Sequence, residues 1–383
     1  MATSKAAYLA GKVIGHNNAI TKQDVSSYLY SEDSFDTMKV LVRKGNHKDT
    51  DVILKVTGST VCGLDLHLHH GAVVQIADGD ILGHEFRGIV ELVGLAVNKV
   101  KTTGIFRYSH LKSEFGGGQT EYICVPLGDV NLLGISDNIM DEKALNVSGI
   151  LCTSYHAVKD TTVYQGDQVA IFGAGPIGQM ANIFAFREGA SEIIFVDTES
   201  RLTFMKQRFS TEHNDKLLLI DNKTQPHGIA SKETVVSKLK DICDGRGPAV
   251  AFECAAGEML NEMIKRVRNH SHCSITGVYV AYLSTYLDCS IEMLNTNRLR
   301  RNHFNVGSLM QRGIRLIGNG QAPVHKYYEE MLAKIQKDEL DLLQMVSHRV
   351  RLEDLDKGRR QKVLFETKFS LPKVPESLEV TPY

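Results

Sequence analysis

The chain lacks the features that would place it in a membrane or on nucleic acid. Its 383 residues contain no run of 18 or more apolar residues, so no membrane-spanning helix is predicted. The first 17 residues have no long apolar core, which argues against a secretory signal. The net charge is −1 at pH 7, so there is no electrostatic reason to expect nucleic acid or an anionic membrane surface as a partner.

Cysteine is present, but not in the spacing of a structural metal site. The seven cysteines are scattered along the chain and no C-x-x-C pair occurs. An odd, unpaired set is typical of reduced thiols in a cytoplasmic compartment. The sequence therefore predicts a cytoplasmic protein without a structural zinc.

The length favours two domains. Residues 1–37 are polar and without a clear pattern, and we expect a loosely ordered extension there. Residues 38–156 contain apolar runs without a βαβ rhythm, which predicts a β-rich domain. Residues 157–320 alternate strand-like and helix-like segments, which predicts a parallel sheet with helices. The strands expected in these regions are 38–42, 52–56, 88–93, 164–172, 193–196, 216–220, 250–253, 273–278 and 314–318, and residues 116–126 are expected to form a glycine loop that runs into a further strand.

The most informative motif is the G-x-G-x-x-G run at 173–178. An apolar strand-like run precedes it, and a helix-like segment follows up to Gly189. Asp197 closes the next apolar run, 19 residues beyond Gly178. This is the spacing of the acid that hydrogen-bonds the adenosine ribose in a dinucleotide-binding unit. The alternative is a glycine-rich turn in an α/β protein that binds nothing.

Each glycine of this motif has a predicted role. Gly173 permits a tight turn, Gly175 lets the backbone approach a pyrophosphate, and Gly178 lets the helix pack close to the strand. The helix N-terminus offers N–H groups and a positive dipole end to the anion. A carboxylate at Asp197 repels a 2′-phosphate, so NAD is favoured over NADP. The predicted cofactor-binding residues are Gly173, Gly175, Pro176, Ile177, Gly178, Asp197, Arg201 and Val278.

A candidate metal site precedes this region. Cys62 and His84 offer a thiolate and an imidazole, a donor pair that suits zinc with an open position for substrate. Glu85 and Asp65 lie beside them in the sequence as alternative or supporting ligands. From spacing alone, a buried structural thiol and a hydrogen-bonded histidine explain the same residues.

Together these motifs resemble the zinc-type, medium-chain alcohol dehydrogenases, and within them the glutathione-independent formaldehyde dehydrogenase-like branch, including its fungal members. The segments that carry the resemblance are 62–67, 83–85, 116–119, 173–178 and 318–324. It implies an α/β chain with a GroES-like catalytic domain at 38–156, to which residues 321–383 return, and a doubly wound Rossmann domain at 157–320. It also implies NAD, one catalytic zinc, a small alcohol or aldehyde substrate, and a homo-oligomer.

The resemblance assigns Cys62 and His84 as zinc ligands and Glu85 as an acid that can approach the metal. Two positions depart from the family pattern. Gly149 stands where the family has an Asp or Cys as third ligand, and Leu64 replaces the hydroxyl residue of the proton relay. His67 matches the outer histidine of that relay. The cysteine-rich structural zinc lobe is absent.

These departures leave three hypotheses open. The first is an NAD-dependent, zinc-type oxidoreductase, with Glu85 or Cys152 as substitute ligand. The second is a catalytically weak or inactive NAD-binding paralogue, whose activity would return in a Gly149→Asp, Leu64→Ser double variant. The third is a zinc-independent reductase of the quinone-reductase type, in which side chains alone polarise the hydride acceptor.

Overall fold

A computed structural model describes residues 5–8, 23–30, 35–42, 48–63, 65, 81–98, 117–135, 139–208, 216–221, 229–255, 259–277, 306–320, 322–346, 348–351 and 363–366. The chain divides into two compact units, one of Met1–Gly149 with Val324–Tyr383 and one of Ile150–Pro323. Among the described residues, no helix combines the length and the apolar character needed to cross a bilayer.

The strands of the first unit are β1 (Lys5–Tyr8), β2 (Gln23–Tyr30), β3 (Phe35–Val42), β4 (Val52–Val61), β5 (Phe86–Val93), β6 (Tyr122–Val125), β7 (Leu132–Ile135), β14 (His348–Arg351) and β15 (Val363–Glu366). Its helices are α1 (Gly128–Asn131), α2 (Asp141–Leu145) and α9 (Tyr328–Gln336), with 3-10 turns at Val324–Lys326 and Leu343–Met345. A π-helix, Val147–Cys152, runs from this unit into the second.

The strands of the second unit are β8 (Gln168–Phe172), β9 (Glu192–Asp197), β10 (Leu217–Asp221), β11 (Val250–Glu253), β12 (His272–Ile275) and β13 (Arg315–Gly318). Its helices are α3 (Thr153–Thr161), α4 (Pro176–Arg187), α5 (Glu199–Arg208), α6 (Ile229–Ile242), α7 (Leu260–Arg266) and α8 (Val306–Arg312).

The main sheet of the first unit has the order β14-β15-β4-β5-β1-β7, and β6 also pairs with β4. Apart from the parallel pair β14–β15, its ladders are antiparallel. Its core forms where β4, β5 and β6 pack together, around Leu54, Phe86 and Ile123. The centre of this unit is therefore the long strand β4, which ends directly before Cys62.

The sheet of the second unit is wholly parallel, in the order β10-β9-β8-β11-β12-β13. Alternate residues on both faces of β8 are buried, Val169 and Ile171 on one and Ala170 and Phe172 on the other. A parallel sheet buried on both faces requires helices on both sides. Numbered within the unit, the strand order is 3-2-1-4-5-6, which reverses direction between β8 and β11.

The predicted fold class is confirmed: the chain is α/β, with a β-rich domain and a doubly wound parallel sheet. The structure differs from the expected loosely ordered extension at 1–37. β1 pairs with β5 and β7, and β2 forms an antiparallel hairpin with β3. Three of the four residues of β1 are Lys and Ala, which are depleted in strands, so local propensity carries little signal for this strand.

The C-terminal segment joins the first unit through a charged pair as well as through strands. Arg349 in β14 donates from Nε and Nη2 to the two carboxylate oxygens of Glu142, at 2.7 and 2.5 Å. The Glu142 side chain is 6% exposed and that of Arg349 is 24% exposed. The neighbouring pair Lys143–Asp338 is different, because Asp338 is 81% exposed.

We predict that Glu142→Ala lowers the free energy of unfolding by about 1–3 kcal/mol, because it leaves a partly buried guanidinium without two charge-assisted bonds. The matched control is Lys143→Ala, where an exposed pair is worth about 0–1 kcal/mol. Thermal unfolding of both variants measures the difference. Equal changes in the two variants would show that the Glu142–Arg349 pair does not anchor the segment.

Candidate functional site

Cys62, His84 and Glu85 lie close together in the first unit because the end of β4 is next to the start of its antiparallel partner β5. β4 ends at Val61 and β5 begins at Phe86, and their register pairs Ser59 with Phe86. Extending that register past the strand ends brings Cys62 towards Gly83 and His84. One ligand atom from each of Cys62, His84 and Glu85 lies within 4.8 Å of the others, and they are the one such group among the described residues.

A glycine turn at 117–119 holds the segment that carries His84 and Glu85. The N–H groups of Gly117, Gly118 and Gln119 donate to the carbonyls of Ile81, Gly83 and Leu82 at 2.6, 2.7 and 3.0 Å. This contact leaves no room for a side chain at either glycine. A Cβ atom at Gly117 would lie 2.7 Å from the Gly83 carbonyl oxygen, and one at Gly118 would lie 2.6 Å from Phe86 Cβ.

Gly83 completes the same contact. Its φ of +96° is a left-handed conformation that glycine adopts readily. A Cβ atom there would also lie 2.6 Å from Gln119 Cγ. The turn thus fixes the backbone immediately before His84.

Asp65 orients both Cys62 and His84. Its Oδ2 accepts a hydrogen bond from the Cys62 N–H at 2.8 Å, and its Oδ1 lies 3.3 Å from His84 Nδ1. Burial of the His84 ring lowers its pKa, but the charge and hydrogen bond of Asp65, with a contribution from Cys62, leave that pKa well above the usual value. A carboxylate on one ring nitrogen is the usual support of a metal-binding histidine, and it leaves Nε2 for the metal.

Glu85 is buried and held by the end of β4. The Thr60 hydroxyl donates to Glu85 Oε2, and the Ser59 hydroxyl donates to the Glu85 backbone carbonyl at 2.8 Å. The Glu85 residue is 1% exposed. Thr60 was not among the predicted site residues. The sequence signal for it was its position two residues before Cys62, on β4, which pairs with β5 directly after Glu85.

The position predicted for a third ligand is empty of any side chain and lies against Glu85. Gly149 is in the π-helix Val147–Cys152. A Cβ atom on it would overlap Glu85 Oε1 and would lie 2.7 Å from Glu85 Cδ. π-Helical turns are uncommon and often occur at functional sites. His67 and Leu64, the two relay positions, lie outside the described residues.

In the second unit, the glycine motif forms the turn between β8 and α4. Gly173 has a φ of +109°, and a Cβ there would lie 2.9 Å from the Ala255 nitrogen. A Cβ at Gly178 would overlap the Gly173 carbonyl oxygen and would lie 3.0 Å from Ile171 Cγ2. A Cβ at Gly175 would meet nothing within 4 Å. The first and third glycines therefore allow close packing, whereas the second leaves open space at the start of α4.

The remaining predicted cofactor residues lie around this turn, except Val278, which lies outside the described residues. Pro176 and Ile177 are the first residues of α4. Asp197 ends β9 and is buried; it accepts hydrogen bonds from the N–H groups of Ala174 at 2.7 Å and Thr198 at 2.6 Å. Arg201, with its side chain 52% exposed, places Nη1 at 3.4 Å from Asp197 Oδ2.

Glu253 is a buried carboxyl that the sequence analysis did not select. It ends β11, paired with Phe172 of β8 and Ile275 of β12, at the point where the strand order reverses. Burial raises its pKa from 4.5 to about 8, against smaller opposing effects of the Ala255 and Gly277 N–H groups. Glu253 is therefore mostly protonated at neutral pH. Only its burial marks it out, and burial is not visible in a short apolar strand.

We predict that Glu253→Gln changes the pH dependence of stability. Between pH 4.5 and about 8 the unfolded chain ionises this carboxyl while the folded chain keeps its proton, so stability present below pH 4.5 is lost as the pH rises towards 8. Glutamine cannot ionise, so the stability of the variant relative to the wild type should rise from pH 5 to pH 8. Thermal unfolding at both pH values tests this, with the exposed Glu199→Gln as control. A constant difference between Glu253→Gln and wild type would contradict it.

Comparison with known proteins agrees with these two units. Residues 48–133 match the family model of the alcohol dehydrogenase GroES-like domain. A zinc-type alcohol dehydrogenase-like protein of Schizosaccharomyces pombe is 27% identical over 364 residues, covering 80% of each chain. Glutathione-independent formaldehyde dehydrogenase of Pseudomonas aeruginosa is 26% identical over 364 residues, covering 82% of this chain and 87% of its own.

Solved structures show the same fold. An alcohol dehydrogenase from Thermus sp. ATN1 superimposes with a TM-score of 0.71 at 24% identity, covering 90% of this chain and 100% of its own. A zinc-dependent alcohol dehydrogenase from Streptococcus pneumonia gives the same TM-score at 24% identity, covering 91% and 100%. Over most of its length, the chain is therefore similar to the zinc-type alcohol dehydrogenases.

Proposed function

We propose that the chain is an NAD-dependent, zinc-type oxidoreductase that transfers a hydride between a small alcohol or aldehyde and nicotinamide. The observation that carries the proposal is the convergence of Cys62, His84 and Glu85, with one ligand atom of each within 4.8 Å of the others. The similarity to zinc-type alcohol dehydrogenases and the geometry of the glycine turn at 173–178 support it. The relatives are named for oxidation of alcohols and formaldehyde, which sets the substrate class proposed.

The three side chains fit a zinc ion by chemistry and by separation. Zinc takes sulfur, nitrogen and oxygen ligands at about 2.0–2.3 Å, which places the ligand atoms of a tetrahedral site roughly 3–4 Å apart. Separations of at most 4.8 Å need only a small closure. When bound, zinc would supply a Lewis acid for the substrate oxygen.

The chain's own residues hold these donors ready. Asp65 fixes the Cys62 backbone and the His84 ring, and Thr60 fixes the Glu85 carboxylate. Because the glycine turn at 117–119 fixes the backbone before His84, a metal would not have to order this segment on binding. Leu64 has no hydroxyl to pass a proton. We therefore expect turnover slower by about 10²–10⁴-fold than with an intact relay, the usual worth of general acid–base catalysis.

The cofactor is proposed to lie on the turn between β8 and α4. The open space at Gly175 admits a pyrophosphate, and the first N–H groups of α4 face it with the positive end of the helix dipole. Asp197, fixed by two backbone N–H groups, offers its carboxylate to the ribose hydroxyls and opposes a 2′-phosphate. We therefore propose NAD, with Arg201 and Val278 completing the site.

The zinc-dependent activity is tested with Cys62→Ala. We expect about one zinc per chain in wild type purified without chelators, and NADH formation from a small primary alcohol or from formaldehyde. Cys62→Ala should lose zinc and activity together. Cys124→Ala is the matched control, because burial raises the pKa of that thiol to about 12 and keeps it protonated. Zinc-free wild type that turns over in EDTA would instead support a metal-independent reductase.

The dinucleotide site is tested with two glycine variants that differ in where the added methyl group lies. Gly175→Ala places it in open space, so the fold should be unchanged while NADH binding weakens about tenfold or more, ~1.4 kcal/mol. Gly178→Ala places it against the Gly173 carbonyl and should lower the melting temperature. Titration with NADH, followed by the fluorescence of the nucleotide, measures the affinity; the chain contains no tryptophan to interfere with that signal. Unchanged NADH affinity in Gly175→Ala would remove the site from this turn.

A further inference from the structure

The position of the Glu85 carboxylate depends on the absence of a side chain at Gly149. A Cβ atom at residue 149 would overlap Glu85 Oε1 and would lie 2.7 Å from Cδ and 3.3 Å from Cγ. The carboxylate therefore fills the volume into which any side chain at 149 would extend. Glycine is the one residue that permits the observed position of Glu85.

We propose that Gly149 is the residue that makes Glu85 a metal ligand: the glycine frees the third-ligand volume, and the Glu85 carboxylate occupies it beside Cys62 and His84. This proposal rests on the zinc site proposed above and adds to it Gly149, as the residue that gives the Glu85 carboxylate its space. In this arrangement the site is not short of a ligand. The oxygen comes from the residue after His84 instead of from residue 149.

The surroundings of Glu85 support a carboxylate that is held in place for this role. Its side chain is positioned by the Thr60 hydroxyl at Oε2, and its backbone by Ser59 and by the Thr60 N–H, which donates to the Glu85 carbonyl at 3.2 Å. One of its carboxylate oxygens belongs to the group of ligand atoms within 4.8 Å of each other. At 1% exposure the carboxylate needs no movement from solvent to reach a metal.

The arrangement reverses the expectation for a variant that restores the family residue. By sequence alone, Gly149→Asp should add the missing ligand. In the structure its first side-chain atom overlaps the carboxylate already present, so the substitution displaces Glu85 before the aspartate can bind. An aspartate at 149 is expected to help only when the side chain at 85 has been shortened.

The test is a double-variant cycle with zinc content as the readout. Wild type, Glu85→Ala, Gly149→Asp and the double variant are dialysed against a zinc buffer, and bound zinc is measured by elemental analysis and by competition with a chromophoric chelator. Glu85→Ala and Gly149→Asp should each weaken zinc by more than ~100-fold, since losing a mere hydrogen-bond partner of a ligand costs about 10–100-fold. The double variant should recover most of the affinity.

Two further variants separate ligation from packing. Glu85→Gln keeps the volume and removes the charge, so it should lose zinc while its melting temperature in EDTA stays near that of wild type. Gly134→Ala is the control for adding a methyl group in the same unit, because a Cβ there meets nothing within 4 Å. It should keep full zinc affinity. Circular dichroism confirms that each variant is folded.

The outcomes distinguish this proposal from the zinc site on which it rests. Wild type without zinc would overturn the zinc part of the proposed function. Wild type with zinc, together with undiminished zinc affinity in Glu85→Ala and Glu85→Gln, would leave that function standing and overturn the role of Glu85. Gly149→Asp that binds zinc more tightly than wild type, with Glu85 intact, would show that residues 149 and 85 do not compete for one volume.

Discussion

The first unit depends on the close contact between the glycine turn at 117–119 and the backbone of 81–83. Three short hydrogen bonds join the two segments, and neither Gly117 nor Gly118 has room for a Cβ atom. The contact fixes the chain immediately before His84 and Glu85, at the start of β5. Cys62 follows directly after the end of β4, the antiparallel partner of β5, and so lies near the start of β5. Backbone contacts therefore bring the three donor residues together, and the side chains of Asp65 and Thr60 hold the His84 ring and the Glu85 carboxylate.

The second unit also has glycines that pack closely against backbone atoms at its candidate binding site. Gly173 and Gly178 lie against backbone atoms, and this lets the first turn of α4 approach the end of β8. Asp197 then binds the Ala174 N–H and holds the turn from the neighbouring strand. Each unit thus places its candidate binding groups on rigid backbone, where positions are more exact than on free loops. Gly175 lies between these two closely packed glycines, and a Cβ atom on it would meet nothing within 4 Å.

Local patterns predicted the strands and turns whose own residues carry a clear signal. The apolar runs that became β4, β5, β9 and β11 were identifiable, and the spacing from Gly178 to Asp197 predicted a carboxylate beside the glycine turn. β1 was not predicted, since three of its four residues are Lys and Ala, which are depleted in strands. Thr60 was missed because its hydrogen bond to Glu85 depends on the register of β4 against β5. Glu253 is identified by its burial, which requires the assembled sheet.

Gly149 shows why a missing ligand cannot be judged from one position. Read along the chain, the glycine removes a donor and implies a site with two ligands, which binds zinc poorly. In three dimensions the same glycine leaves a volume, and packed interiors rarely leave such volumes empty. A neighbouring carboxylate lies in it. The change at 149 and the position of Glu85 must therefore be considered together, because either residue alone gives the wrong number of donors. What counts for metal chemistry is the set of oxygen, nitrogen and sulfur atoms that share a space, and that set can be kept when the residue supplying one of them changes.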